Sequence, residues 1–320
     1  MTISNPQISL GLWIPNSTLS VPDTGIAANS QGAAGWERDN AALSLNAADG
    51  GPNSYGHMRA QRLSISGTST TTRRYYSPLT PYGQCVANAA ANFFYAVEWY
   101  SVSGSGSWRL EHYTYDSSGS QVGSTQTPIS AQSSTPSSWT LTTGTLNFTI
   151  PASAAYHQLA IRYDNTSSMN RVFRFVGCGL WFDLENSYVL GYMPTHPGTT
   201  ARRMGMREEF RTAIGGRRYI NGQNRWVQPW HIDLAHAIMD DDTHTELSRA
   251  HAYNMGRTYQ GSDNPGGGQW PILLKTNHSG MPSIGYYDFD STEEPWNVGT
   301  DVYWDPPYWS GVAGLTERIL

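Results

Sequence analysis

The residues that could do chemistry fall into two groups along the 320-residue chain. In the first, His231, Asp233 and His236 lie close together and His244 and His251 follow. On a strand His231 and Asp233 share a face while His236 points away. On a helix, zinc ligands need i, i+3 or i, i+4 spacing, whereas His244 and His251 stand seven residues apart and no H-E-x-x-H occurs. The expectation is therefore no metal and no cofactor. The second group holds the carboxylates Glu98, Glu111, Asp116 and Asp183. A glycosidase needs two such groups facing each other across about 5 to 10 Å. No pair is marked out by the sequence, and no catalytic residue is assigned. Gly104-Ser105-Gly106 reads as a turn rather than a nucleophile elbow, neither Cys85 nor Cys178 has a histidine partner by motif, and Gly266-Gly267-Gly268 lacks the Lys-Ser/Thr of a phosphate loop.

Aromatic rings offer different chemistry, because they stack on the apolar faces of sugars. Tyr95, Trp99, Tyr100, Trp108, Tyr113 and Tyr115 crowd two neighbouring extended runs, and alternation sends half of them to the core. Tyr95, Trp99, Trp108, Tyr113 and Tyr115 are the candidate glycan-binding residues.

The elements that must position these side chains are strands. Hydrophobic residues make up 38% and charged residues only 14% of a chain rich in Gly, Ser, Thr, Asn and Tyr, which favours short strands and turns over helices. Twelve Trp and nineteen Tyr exclude disorder. A net charge of −5 gives no reason to expect nucleic acid as a partner, and no apolar run is long enough to insert in a membrane. Of twenty basic residues only Lys275 is a lysine, which points to a GC-rich bacterial or phage genome.

Residues 1 to about 60 read as irregular chain with brief edge strands. Phe93 to Val102 and Trp108 to Tyr115 read as a hairpin around Ser103 to Ser107, with Trp108, Leu110 and His112 on one face and Arg109, Glu111 and Tyr113 on the other. A long surface loop follows to Ser138. Leu146, Phe148 and Ile150, then Leu159, Ile161 and Tyr163, then Val172 to Phe182 give further strands, enough for a sandwich. The fold class is mainly β: a jelly-roll β-sandwich over 1–186, then a β-rich assembly or docking domain over 187–320. That second domain has a strand near Trp226 to Leu234, one helix from Asp240 to Tyr253 capped by Gly256, a strand at Trp270 to Leu274, and irregular chain from Pro295 to Trp309.

Residues about 30 to 185 resemble the carbohydrate-binding jelly-roll modules attached to polysaccharide-degrading enzymes. The matching pieces are Tyr113-Thr114-Tyr115-Asp116-Ser117-Ser118-Gly119, Ser138-Trp139 leading into Phe148-Thr149-Ile150-Pro151-Ala152-Ser153-Ala154, and Gly179-Leu180-Trp181-Phe182-Asp183, in the family's order. They are turns and core positions, so the resemblance implies the sandwich and carries no ligand residue over. Glu209 to Tyr219, followed by Trp226-Val227-Gln228-Pro229-Trp230, is similar to stretches of minor tail and tail-tip proteins of phages infecting high-GC bacteria.

These readings lead to a non-enzymatic virion protein of a tailed bacteriophage, at the tail tip or baseplate, with a sandwich that adheres to host cell-wall glycans. Head decoration, a non-phage carbohydrate-binding module and a glycoside hydrolase are the alternatives. Met1-Thr2-Ile3-Ser4-Asn5-Pro6 has neither the basic nor the apolar region of a secretory signal, consistent with synthesis in the host cytoplasm and release within a virion. The partners expected are other tail proteins and copies of the chain in a ring. Between Arg202 and Arg225 seven arginines face two glutamates, while Asp288 to Asp305 is acidic. Head-to-tail contact of these two patches would use Arg211, Arg217 and Arg218, with Trp296, Trp304 and Trp309 as aromatic anchors.

Overall fold

The computed structural model describes residues 7–12, 14–19, 32–48, 60–66, 72–82, 90–164, 167–182, 200–203, 208–212, 218–222, 230–239, 241–260, 269–275, 283–299 and 308–318. The chain opens with β1 (Gln7–Leu12), β2 (Glu37–Arg38), β3 (Ser44–Ala48), β4 (Ala60–Ile65), β5 (Arg73–Tyr76) and β6 (Thr80–Pro81). Longer strands follow: β7 (Ala90–Gly104), β8 (Ser107–Tyr115), β9 (Gln126–Gln132), β10 (Thr140–Thr149), β11 (Tyr156–Asp164) and β12 (Met169–Phe182). The second half contains β13 (Thr200–Arg203), β14 (Glu208–Thr212), β15 (Arg218–Gly222), β16 (Trp230–Met239), α1 (Asp241–Asn254), β17 (Ile272–Lys275), β18 (Ile284–Phe289), β19 (Trp296–Gly299) and β20 (Tyr308–Glu317). The architecture is mainly β with one helix among the described residues, as the composition requires.

Two antiparallel sheets form the sandwich. The front sheet runs β10-β7-β12, with β4 and β3 beyond the first part of β12; the back sheet runs β2-β5-β11-β8-β9, with β6 also on β11. Alternation sorts each strand as the sequence indicates. Phe93, Tyr95, Val97 and Trp99 of β7 are buried opposite Trp108, Leu110 and His112 of β8 and Leu159, Ile161 and Tyr163 of β11. β7 and β8 do not form a hairpin, however. β7 pairs with β10 and β12, and β8 pairs with β11 and β9, so the Gly104–Gly106 turn carries the chain from one sheet to the other. The cause is the matched apolar faces: Trp99 and Trp108 meet edge to face at 5.2 Å across the core, which a flat hairpin would leave side by side. Gly104 adopts φ +84, and Arg171, with no exposed surface, bonds the turn carbonyls of Ser103, Gly104 and Gly106.

Three further expectations change. The surface loop before Ser138 contains β9, which pairs irregularly with β8 and buries Ile129. β1 is an interior strand rather than an edge: Gly11 and Leu12 pair with β12, while Gln7 to Leu10 pair with β17. The front sheet thereby continues through β1 into β17-β18-β20-β16-β13, and hydrogen bonding does not stop near residue 186. The C-terminal segment expected to be irregular carries β19 and the start of β20. Helix α1 ends at Asn254, and Gly256 follows its last turn with a φ of +71.

Candidate functional site

The strongest assembly of polar and aromatic side chains lies on the outer face of the back sheet. β5 contributes Arg74 and Tyr76, β11 contributes Gln158 and Arg162, and β8 contributes Arg109, Glu111, Tyr113 and Tyr115. In register, Arg162 stands opposite Arg74 on one side and Arg109 on the other. Three adjacent guanidiniums repel unless anions lie among them, and Glu111 supplies one: it accepts from Arg74 Nε at 2.8 Å and from Arg162 Nη1 at 2.6 Å. Asp164 takes Arg109 at 2.6 Å, and Asp39 lies 3.7 Å from Arg74. Three cations thus meet three carboxylates, and this cluster of ion pairs is balanced in charge.

Phenols extend the patch. Tyr113 donates its hydroxyl to Glu111, stacks on Tyr115 with ring centres 6.4 Å apart, and meets Tyr76 at 5.8 Å. Tyr115 donates to Gln158 Oε1 at 3.0 Å, and the Gln158 amide donates to the Ser77 carbonyl at 2.8 Å, which fixes both side chains. Burial pushes the Tyr113 phenol up, and its bond to Glu111 adds to this; burial likewise raises Tyr76 and Tyr115. All three stay neutral donors. Burial would raise Glu111, but hydrogen bonds from Arg162, Tyr113 and Arg74 outweigh it and hold the carboxyl below its ordinary range. A permanently ionised, fully bonded carboxylate orients the neighbouring groups; a general acid needs the opposite shift.

The sequence-derived glycan residues divide accordingly. Tyr113 and Tyr115 belong to this face, but only Tyr115 is partly exposed: Tyr113 is 6% exposed and bonded to Glu111, so it supports its neighbours rather than offering its ring. Tyr95, Trp99 and Trp108 have no exposed surface and build the core, so their assignment as sugar platforms is corrected: their parity on β7 and β8 turns them inward. Trp99 donates Nε1–H to Thr142 and Tyr95 meets His112 Nδ1 at 2.6 Å, which satisfies their polar atoms internally. Tyr76, Arg74, Arg162 and Gln158 were missed. The run Arg73-Arg74-Tyr75-Tyr76 shows the alternation, but only the sheet order reveals that β5 neighbours β11.

Glu98 is not open to a ligand. It receives Arg174 through two bonds of 2.6 Å and Ser283 Oγ at 2.7 Å, while Arg174 lies 4.2 Å over Trp139. Asp116 accepts from Ser118 and Ser120 in its own turn. Asp183 lies outside the described residues, as do Cys85 and Gly266–268. His231 and Asp233 do share a face, at 2.9 Å, and Asp290 lies 3.0 Å from the other ring nitrogen. No group of three or more side chains suited to a metal occurs among the described residues.

Among the assembly residues, Trp296 is buried against Phe289, His244 and His251, so it cannot anchor a partner. Trp309 stacks on His244 at 3.4 Å and donates to Asp241 at 2.7 Å. Arg211 and Arg218 sit on the paired strands β14 and β15, with Arg211 opposite Tyr219 and Thr212 opposite Arg218. Arg217 and Trp304 lie outside the described residues. Three carboxylates of the acidic stretch are engaged within the chain: Asp288 with Arg318, Asp290 with His231 and Thr316, Glu294 with His244 and Ser248; Asp301 and Asp305 lie outside the described residues.

By fold this is an antiparallel β-sandwich continued by a β-rich half. No protein-family model and no curated protein matches the chain. Several solved structures are similar over part of it. The enzymatically active domain of bacteriophage CBA120 tailspike protein 4 shares 12% identity at a TM-score of 0.34, covering 46% of this chain and 19% of that one. The arabinose-bound α-L-arabinofuranosidase MgGH51 shares 11% at 0.39, covering 54% and 26%. The CBM22-1 xylan-binding domain from Paenibacillus barcinonensis Xyn10C shares 9% at 0.33, covering 56% and 97%. This chain therefore spans about a fifth of the tailspike domain and a quarter of the arabinofuranosidase. Similarity at these TM-scores assigns neither a family nor a ligand.

Proposed function

We propose that this chain is a non-enzymatic structural protein that binds a neutral glycan on the outer face of its back sheet. The observation that carries the reading is the charge-balanced patch in which Tyr76, Tyr113 and Tyr115 lie beside Glu111 clamped between Arg74 and Arg162. The partly exposed rings of Tyr76 and Tyr115 and the guanidinium edges match the apolar faces and hydroxyls of sugars, while arginines already paired with carboxylates give no preference for a polyanion. Both sandwich glutamates weighed for acid–base work are held by arginine, which supports binding over hydrolysis.

Binding to host cell-wall polysaccharide is expected to be weak and raised by multivalency. Tyr76→Ala and Tyr115→Ala each lower glycan-array or pulldown binding by about tenfold, the loss of one ring contact. Release of reducing ends from any polysaccharide would overturn the non-enzymatic reading.

The finer reading places the protein in the tail of a phage particle, with tail proteins and further copies in a ring as partners. It rests on the resemblance of residues 209–219 and 226–230 to tail-tip proteins, a stretch that includes Arg211 and Arg218 of the paired strands β14 and β15. A cryo-EM map of the particle tests it: density in the head shell, or particles that incorporate Arg218→Glu normally, would count against tail location and ring contact respectively.

A further inference from the structure

Among the described residues, one end of the sandwich buries more positive charge than carboxylates meet. Arg171 of β12 has no exposed surface, and its terminal nitrogens reach only neutral oxygens: Ser101 Oγ and the carbonyls of Ser103, Gly104, Gly106 and Asn170. Among the described residues no carboxylate pairs with it. Arg73 is 8% exposed and likewise has no carboxylate partner among the described residues.

The unsatisfied atoms belong to residues of this same end. Arg171 Nε, Arg73 Nε, Trp108 Nε1 and Tyr163 Oη are buried and without a hydrogen-bond partner. Trp108 stands opposite Tyr163 on β8 and β11, and Tyr163 opposite Arg73 on β11 and β5, so these three occupy one rung of the back sheet's inner face. Arg171 approaches from the front sheet: its guanidinium lies 5.8 Å from the Trp99 ring, which packs on Trp108 at 5.2 Å. Buried donors are rarely left unpaired in native proteins, since each costs about 1–3 kcal/mol.

The chemistry of the gap selects its guest. Three N–H groups and a phenol that can donate call for an acceptor, and two guanidiniums call for negative charge. A water molecule would bring two hydrogens of its own to a place rich in donors. Trp108 is also packed edge to face against Phe173 at 5.4 Å, and in so tightly packed an aromatic setting a small spherical anion is the simplest guest.

We propose that Arg171, Arg73, Trp108 and Tyr163 form an internal site for a monatomic inorganic anion, chloride under ordinary conditions.

The full chain is melted in sodium chloride and in sodium gluconate at equal ionic strength, and crystals grown in bromide are measured at the bromine absorption edge. The expected result is a Tm that rises by a few degrees for each tenfold excess of chloride over its dissociation constant. An anomalous peak should lie within hydrogen-bond distance of Trp108 Nε1, Tyr163 Oη and Arg171 Nε, and Tyr163→Phe should reduce the chloride response. Equal melting in both salts, or a water molecule at this position in bromide crystals, overturns the proposal. A chloride effect without a bromide peak there overturns it too, because the ion then binds elsewhere. The wild-type crystal decides the matter even if the variant fails to fold.

Discussion

The hydroxyl oxygen of Tyr286 lies 2.6 Å from the carbonyl oxygen of Cys178 and 2.8 Å from its amide nitrogen, so one side chain meets both backbone groups of a residue 108 positions earlier. The same oxygen lies 2.7 Å from the Leu12 carbonyl, which ties β18 to the junction of β1 and β12. Two glycines make the slot: a Cβ at Gly11 would come within 2.6 Å of the Tyr286 ring, and one at Gly177 within 2.9 Å of its hydroxyl. The phenol, kept protonated by burial, acts as a donor at any ordinary pH.

Tyr286→Phe should cost about 1–3 kcal/mol, because it leaves the Cys178 amide and two carbonyls without this partner. Since β1 belongs to the sheet of both halves, thermal unfolding should show one transition that moves as a whole in the variant. Two separable transitions, only one of them shifted, would mean that the halves unfold independently.

Gly104 and Gly119 both adopt positive φ, yet their substitution should differ. A Cβ at Gly104 would lie 2.2 Å from the Ser168 carbonyl oxygen, whereas one at Gly119 meets nothing within 4 Å. Gly119→Ala should cost only the left-handed backbone penalty of about 1–2 kcal/mol. Gly104→Ala adds a clash with backbone and disturbs the carbonyls around Arg171, so it should be clearly worse in urea titrations. Equal costs would refute the clash.

Glu98→Gln should destabilise the fold by about 3–5 kcal/mol, since it leaves the guanidinium of Arg174 buried without its counter-charge. Replacing both together, as Glu98→Gln with Arg174→Met, should recover part of the loss. Denaturant midpoints of the two single variants and the double variant give the coupling directly, and additive losses would deny it.

His112 makes stability depend on pH. Tyr95 and Tyr82 hydroxyls flank its two ring nitrogens at 2.6 and 3.2 Å, and burial, then the nearby His157, depress its pKa well below the usual value. The unfolded imidazole titrates near 6.5. Below that pH the unfolded chain takes up a proton that the folded chain refuses. The stability is therefore fully present above about pH 6.5 and falls as pH falls, by about 1.4 kcal/mol per unit until the folded group titrates. His112→Gln should flatten this part of the curve; a wild-type-minus-variant difference independent of pH would show that His112 does not cause it.

Strand parity was legible in the sequence because alternation depends only on local chain geometry. It sorted Leu146 and Phe148, and placed Arg109, Glu111 and Tyr113 opposite Trp108 and Leu110, before any pairing was known. The helix and its Gly256 stop were equally local. Composition alone excluded a helical fold and a disordered chain.

Pairing was decided by tertiary structure. Parity states that Trp99 and Trp108 lie on definite faces, but not whether those faces turn to solvent or to each other; their packing across the core made an arch out of a predicted hairpin and removed both as sugar platforms. β5 has four residues and no signature, and only its place beside β11 brings Arg74 and Tyr76 to Glu111. β1 became an interior strand because Gly11 and Gly177 admit the Tyr286 ring, an arrangement of residues far apart in sequence. Local preferences fix which way a side chain points within its strand, while hydrogen bonding between distant strands fixes what it meets.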